Sequence, residues 1–478
     1  MKIKYGNVNT IIIATTPKEK EKLQKLSKRA VIKRKVYQKR ANSYSTELIK
    51  VLKGDNGKYI TLSGLLPYLK LSDYPKVHKD LIDIEKLKQD KIWKILRPYQ
   101  KDAVLKLLEY PRGIIKASTG AGKTLMMIAI CKAIKDDIPV LVIIPKSQLL
   151  VKQTYEKFLQ FFNKLEIGVN FGGAFLPSRI TISSPGCLDK LNLNHYKAVL
   201  IDEVQCAASD SIASALAFMH QATIRYGFSA TPFGRSDYKD YITAGLVGKI
   251  ITEIKSKDLI EQGYLAQVKY FFLQYFSNFQ LDPKTKKYKD LRNWHWIIKH
   301  FILENKTRQK IILELCKEIA KRKDRNCLII IERKKHGEII KNLIEEFIGE
   351  RVELLTSETK NKEKIKEEFI KGKYRFLIGT QLMEVGIDIP NINTLIIGSI
   401  GKSGIQLIQR IGRGMRPCGD KKLLVFDLVD YANGVLIAQG NKRKNIIKKE
   451  NLEFEIIKLY GNIEKELKEL WEKECPLT

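Results

Sequence analysis

Short apolar runs separated by longer amphipathic stretches set the texture of the chain from Leu96 onward. Gly113–Lys116, Val140–Ile144, Arg179–Ser183, Ala198–Ile201 and Arg225–Ser229 are each of strand length, bounded by polar or turn residues and followed by a helical pattern. A second series repeats the design at Cys327–Ile331, Val352–Leu355, Phe376–Gly379, Thr394–Ile397 and Leu423–Asp427. Continuous rather than alternating apolar runs belong to strands buried on both faces, so the pattern predicts βαβ units around parallel sheets. The fold class is α/β, with two such domains in tandem. Between the series, Tyr264–Phe301 lacks clear periodicity and is rich in aromatics: Tyr270, Phe271, Phe272, Tyr275, Phe276 and Phe279, then Trp294 and Trp296. Rings so spaced pack a core or, on a surface, stack on bases or wedge a fork.

Upstream of Leu96, Val8–Ala14 reads as a short strand, Pro17–Arg29 as a helix, and Gly54–Gly57 as a turn between Leu48–Leu52 and Tyr59–Leu62. The tail from Gly440 is helical in pattern. The expected partition is an N-terminal module (1–90), a first α/β domain (91–262), a second with the aromatic segment (263–440) and a tail (441–478). A chain of 478 residues is long enough to require such a division.

Charge sharpens the picture. Lys and Arg number 86 against 53 Asp and Glu, a formal net charge of +33. Residues 1–50 alone carry 14 Lys and Arg and 3 acids, including the stretch Arg29–Arg40. Such an excess suggests a polyanionic partner, nucleic acid ahead of an anionic membrane, or else a Lys-rich solvated surface. The seven Cys are odd in number and show no CxxC spacing, which disfavours a disulfide framework and a structural zinc site and fits reduced thiols in the cytoplasm. The six scattered His show no metal-ligand spacing and read as structural. The N-terminus lacks a secretory apolar core, and no apolar run approaches the 18 residues of a membrane span.

Two motifs carry chemistry. Ala117-Ser-Thr-Gly-Ala-Gly-Lys-Thr124 lies between a predicted strand and a predicted helix, the context of a phosphate-binding loop. Gly120 and Gly122 let backbone N–H groups turn toward phosphate oxygens, Lys123 adds a point charge, and the Thr124 hydroxyl suits Mg²⁺. Ala117 stands where the pattern GxxxxGK[ST] has Gly. The second motif is the apolar strand Ala198–Ile201 ending in Asp202 and Glu203. Strand ends of a parallel sheet face its ligand crevice, where one acid can hold the metal through water and the other polarise an attacking water.

With these in place the chain resembles the superfamily 2 helicases over roughly residues 96–430. Asp202-Glu-Val-Gln205 looks like motif II, Ser229-Ala-Thr-Pro232 like motif III, Gly379–Asp388 like motif V and Gln409–Arg416 like motif VI. Arg97-Pro-Tyr-Gln100 is similar to the upstream element whose Gln reads adenine, Pro145–Leu150 to motif Ia, and Thr181–Pro185 to motif Ib. Within the superfamily it most resembles the phage UvsW-type branch-migration helicases, with XPB and the type I and III restriction translocases as relatives. The resemblance implies two RecA-like domains with a small basic N-terminal α/β domain. It implies catalytic roles for Lys123, Asp202, Glu203 and Gln205, with Arg413 and Arg416 as arginine fingers. Nucleotide contacts fall to Arg97, Gln100, Ser118, Thr119, Gly120, Ala121, Gly122, Lys123, Thr124, Gly386, Asp388 and Gln409, and Mg²⁺ to Thr124 and Asp202. Strand contacts fall to Pro145, Lys146, Ser147, Gln148, Ser183, Ser184, Thr356, Thr380 and Gln381.

One departure stands out: UvsW-type proteins usually carry His where this chain has Gln205. An amide can still bridge toward Ser229 or Thr231, but it does not titrate. The expected activity is an ATP- and Mg²⁺-dependent motor remodelling branched DNA, and a monomer suffices because one chain holds both halves of the ATP site. An RNA helicase or a restriction-type translocase subunit are alternatives within the enzymes, and an ATP-inactive nucleic-acid-binding scaffold is one outside them.

Overall fold

Each apolar run of both series is a strand. The computed structural model describes residues 1–38, 43–77, 79–118, 120–145, 148–235, 237, 239–277, 293–356, 358–380, 392–399, 422–449 and 452–475. It consists of two units, Met1–Ile254 and Lys255–Thr478.

The first unit begins with the basic module. Strands β1 (Lys2–Lys4), β2 (Asn9–Ile13), β5 (Lys53–Asp55) and β6 (Lys58–Leu62) form an antiparallel sheet in the order β1-β2-β6-β5, and β3 (Val31–Gln38) pairs with β4 (Ser43–Lys50) in a separate ribbon. The predicted helix Pro17–Arg29 is present, opened by a capping box in which the Thr16 hydroxyl accepts from the Glu19 N–H and the Glu19 carboxylate accepts from the Thr16 N–H. Hydrogen bonds join the module to the rest of the unit. Asn7 Nδ2 donates to the His220 carbonyl at 2.7 Å, Arg112 donates to the Asn7 carbonyl at 2.9 Å, and Tyr74 Oη donates to the Gly64 carbonyl while accepting from the Lys249 N–H.

The larger sheet of this unit contains β7 (Arg112–Ala117), β8 (Val140–Ile143), β9 (Ile167–Phe171), β10 (Ala174–Leu176), β11 (Ile180–Ser183), β12 (Ala198–Asp202), β13 (Ile224–Ser229) and β14 (Ile250–Ile254). Their order is β10-β9-β11-β8-β12-β13-β7-β14, parallel throughout except for the β9–β10 hairpin. β7, β8, β12 and β13 have their apolar side chains buried on both faces, which is why they read as unbroken runs.

The second unit holds β15 (Val268–Tyr275), β16 (Cys327–Ile330), β17 (Val352–Leu355), β18 (Phe376–Gly379), β19 (Thr394–Ile397), β20 (Leu423–Asp430) and β21 (Glu453–Leu459), all parallel, in the order β17-β18-β16-β19-β20-β15-β21. One choice left open by the sequence is decided here, and one expectation changes. Tyr270, Phe271, Phe272 and Tyr275 are buried in β15, inside the sheet, so these rings are core and cannot stack on bases. Eight consecutive buried residues leave no alternation to read. The tail is not helical throughout: helices Gly434–Lys449 and Ile463–Glu474 flank the edge strand β21. Pairing with β15 overrides the local pattern, and the Lys269 ammonium fixes the join through Glu455 (2.8 Å) and Glu474 (2.7 Å).

Two buried polar groups hold this unit. Asp427, fully buried, accepts two bonds from the Arg443 guanidinium at 2.7 Å each and one from Tyr270 Oη at 2.7 Å. His336, also fully buried, meets Ser399 Oγ through Nδ1 at 3.2 Å, and burial pushes its pKa down to about 3.

Asp427→Ala leaves Arg443 buried without its carboxylate and is expected to destabilise the chain by about 3–5 kcal/mol, read as a shifted urea midpoint; a shift worth less than about 1 kcal/mol would contradict the role given to this pair. His336 gives a pH signature. Its folded-state pKa lies below the unfolded value, so between the two the unfolded chain binds the extra proton. The stabilising contribution is complete above about pH 6.5 and is lost as the pH falls toward 3. The urea midpoint measured at pH 7 and pH 5 should therefore fall further in the wild type than in His336→Gln.

Candidate active site

The loop after β7 and the turn after β12 lie at one edge of the first unit's sheet. β12 pairs with β13 and β13 with β7, in registers that place Asp202 opposite Phe228 and Ser229 opposite Lys116. The acids, Ser229 and the loop therefore emerge side by side at the carboxyl ends of adjacent strands.

Within the loop, Gly120 (φ 87°) and Gly122 (φ 79°) occupy the left-handed region. Gly122 opens the helix Lys123–Ala133, and a Cβ there would lie 2.2 Å from Gln100 Nε2. Ser118 N–H donates to the Ile254 carbonyl and Ala121 N–H to the Ser118 carbonyl, each at 3.2 Å, which closes the loop. Lys123 Nζ lies over it, 3.3 Å from the Ala117 carbonyl and 3.4 Å from that of Ser118. Ser118 Oγ is buried with no hydrogen-bond partner among the described residues. Thr124, one residue into the helix, is partly exposed. A Gly-shaped curl, an unpartnered hydroxyl and a Lys at the mouth of a helix suit a triphosphate.

Gln100 takes a role the sequence did not suggest. Buried, it donates from Nε2 to the Ala121 carbonyl at 2.8 Å and accepts at Oε1 from the Arg97 N–H at 2.9 Å. Its amide braces the loop from behind. Tyr99 Oη adds a 3.2 Å bond to the same carbonyl and receives one from Arg97 at 3.3 Å.

The acid pair continues into a relay. Glu203 has φ 48°, uncommon for a residue with a side chain, and the turn is held by its N–H donating to Asp202 Oδ1 at 3.0 Å. Gln205 Nε2 donates to Glu203 Oε2 at 2.7 Å, and Gln205 Oε1 accepts from Ser229 Oγ at 2.6 Å. Ser229 Oγ in turn accepts from the Thr231 N–H at 2.9 Å. One amide thus spans the carboxylate and the loop after β13, using a donor and an acceptor that neutral carboxamides always hold. Arg235 was not singled out from sequence. It donates to the Gln205 carbonyl at 2.8 Å, and its ion pair with Asp237 holds that carboxyl at about 2. Its position directly after Ser229–Gly234 was the available signal.

The candidate strand contacts divide. Pro145 is buried at the end of β8, and Gln148 begins the helix Gln148–Leu159. Ser183 is fully buried, its hydroxyl accepting from Asn170 Nδ2 at 3.1 Å and within hydrogen-bond range of the carbonyls of Asn170 and Ser184. That side chain serves the packing of β9 on β11 and does not face a ligand; Ser184 beside it is partly exposed. In the second unit, Thr356 and Thr380 follow the neighbouring strands β17 and β18, and the Thr380 N–H donates to the Leu355 carbonyl at 3.1 Å. Thr119, Lys146, Ser147, Gln381, Gly386, Asp388, Gln409, Arg413 and Arg416 lie outside the described residues.

Residues 94–234 match the family described as Type III restriction enzyme, res subunit, and residues 308–418 match the Helicase conserved C-terminal domain. The chain belongs to the superfamily 2 helicases. Its reaction is that of the family, the hydrolysis of ATP, and its two parallel-sheet units are RecA-like. The helicase is similar to a helicase-named protein of Sulfolobus islandicus filamentous virus (isolate Iceland/Hveragerdi), 28% identical over 90% of this chain and 81% of the viral one. It is also similar to the ATP-dependent DNA helicase uvsW of Enterobacteria phage T4, 26% identical over 73% of this chain and 71% of the phage protein. Among solved structures, S. cerevisiae Dbp5 bound to RNA and ADP BeF3 shares the fold, with a TM-score of 0.57 and 16% identity over 82% of this helicase and 99% of Dbp5. No helix among the described residues is long and apolar enough to cross a membrane.

The relay yields a specific expectation. Gln205→Ala removes both bonds and should lower nucleic-acid-stimulated ATP turnover at least tenfold while leaving the loop intact. Gln205→His should introduce a pH inflection near about 6.5 that the wild type lacks, because only the imidazole titrates there. Turnover against pH from 6 to 8 compares the two, and an equal inflection in the wild type would show that another group controls the step.

Proposed function

We propose that this helicase is an ATP- and Mg²⁺-dependent DNA motor that remodels branched DNA, such as forks and four-way junctions, in replication, recombination or repair. The observation that carries the reading is the continuous chain of hydrogen bonds Glu203–Gln205–Ser229–Thr231 beside the phosphate loop. It ties the acid expected to orient water to a segment that responds to strand binding in this family. The uvsW relative's name, a DNA helicase, supports DNA as the track. The net charge of +33 supports a polyanion.

Lys123 is assigned to the β/γ-phosphates, with Thr124 and Asp202 holding the magnesium that neutralises their charge. Glu203 is assigned to the attacking water, and Arg413 and Arg416 to the transition-state charge. Ser184, Thr356 and Thr380 are assigned to strand phosphates, contacts that position without reading sequence. The basic module of residues 1–90 is assigned to duplex binding. The setting is cytoplasmic, and that of an infected host if the chain is viral.

Steady-state ATPase with no nucleic acid, single-stranded DNA, duplex DNA, a four-way junction and RNA, at one salt concentration, tests the reading. Junction DNA is expected to stimulate most and RNA little, with stimulation abolished in Lys123→Ala. Stimulation chiefly by RNA would place the motor on RNA. Wild-type turnover in Lys123→Ala would overturn the loop assignment, and no turnover with any cofactor would leave a binding scaffold.

A further inference from the structure

A second cleft, in the C-terminal unit, is used neither by the phosphate loop nor by the acid turn. It encloses 490 Å³ between the turn after β16 and the helical segment Trp294–Leu303. That volume lies within the ~300–1,000 Å³ of small-ligand pockets. Its lining combines the aliphatic Ile298, Leu303 and Ile339 with a cationic rim of Lys299 and residues 333–335, and includes His295 and Glu304.

Three features point to an occupant. First, the rim is only partly neutralised. Lys334 pairs with Glu358 at 2.6 Å and Lys299 with Glu304 at 3.9 Å, whereas Arg333 and Lys335 are exposed and have no carboxylate within ion-pair distance among the described residues. Secondly, one wall is a π-helical turn, Ile298–Leu303, braced by Trp296 against the rings of His300 (4.5 Å) and Phe301 (5.9 Å). Such turns are rare and concentrate at functional sites. Thirdly, Glu358, bonded to Lys334, stands two residues past Thr356, so the cleft adjoins a proposed strand contact.

We propose that the cleft takes one unstacked nucleotide of a single strand, with its base on Ile298, Leu303 and Ile339 and its phosphate against Arg333 and Lys335. The inference rests on the nucleic-acid motor reading and deepens it. A strand held through phosphates alone leaves its bases free, whereas this cleft would hold a base. Its aliphatic residues supply no donor or acceptor, so any reading of a base edge would fall to the polar groups beside them, His295 and Glu304.

The test uses the full chain and oligo-dT carrying a single 4-thiothymidine, irradiated and mapped by mass spectrometry. Adducts are expected within residues 293–304 or 333–339. Combining Arg333→Glu with Lys335→Glu should reduce them at least tenfold without moving the thermal midpoint, and combining Arg333→Lys with Lys335→Arg should restore them. DNA-stimulated ATPase with adducts only elsewhere would overturn this inference and leave the motor reading standing. Absence of both stimulation and adducts would overturn the two together. A fluorescein-labelled peptide of alternating Asp and Glu ending in Leu and Phe provides the other arm. If it binds the wild type and not the double Glu variant, while adducts avoid the cleft, the site belongs to an acidic protein partner and the inference fails.

Discussion

A parallel strand buried on both faces has no room along its length for a group that must meet water or phosphate. Such groups are driven to the strand ends, and in the first unit of this helicase the loop, the acid turn and the linking serine gather at the carboxyl edge. Ala117 closes β7 before the phosphate loop, Asp202 closes β12, and Ser229 closes β13. The sheet order sets the spacing between them, because β13 separates β12 from β7 and carries the serine that links to the acid turn. In the second unit Thr356 and Thr380 stand at the corresponding ends of β17 and β18.

Each turn along this edge is closed by its own bonds. Gly122 admits Gln100 at a distance that a Cβ would forbid, and Gln100 in return fixes the Ala121 carbonyl. Glu203 is held in a left-handed turn by the Asp202 carboxylate and by the Gln205 amide. Gly227 lets Val204 pack where a Cβ would come within 2.4 Å, which seats the turn of Val204–Ala208 against β13. Backbone strain at Glu203 is of the order of ~1–3 kcal/mol and persists because these contacts over-determine it.

Much of this was legible in sequence, for a physical reason. Double burial writes a strand as an apolar run, and a phosphate loop needs Gly and Lys at fixed spacing, so β7, β8, β11, β12, β13 and β16 to β20 and the loop itself could be read directly. The reading failed where a residue's role depends on a distant partner. The aromatics of β15 could be read as core but not as a strand, because complete burial erases alternation, and β21 looked helical because its strand character comes from the open edge of β15 and from Lys269. Ser183 carries a motif-like neighbourhood, but Asn170, thirteen residues earlier, claims its hydroxyl. Gln100 resembles an adenine reader by its motif, and only the fold reveals that its amide also holds the Ala121 carbonyl.

Gln205 joins the two turns through a group that cannot titrate. A histidine at this position would offer a ring whose charge varies across the physiological range, so the link between the acid turn and Ser229 would weaken or strengthen with protonation. The carboxamide presents one fixed donor to Glu203 and one fixed acceptor to Ser229, and Arg235 holds its backbone from the far side. Any change in the link must then come from movement of Glu203 or of the Ser229–Thr231 segment rather than from a proton. The link between the acid turn and the Ser229–Thr231 segment is therefore geometric, made by two hydrogen bonds that a displacement of either turn would break.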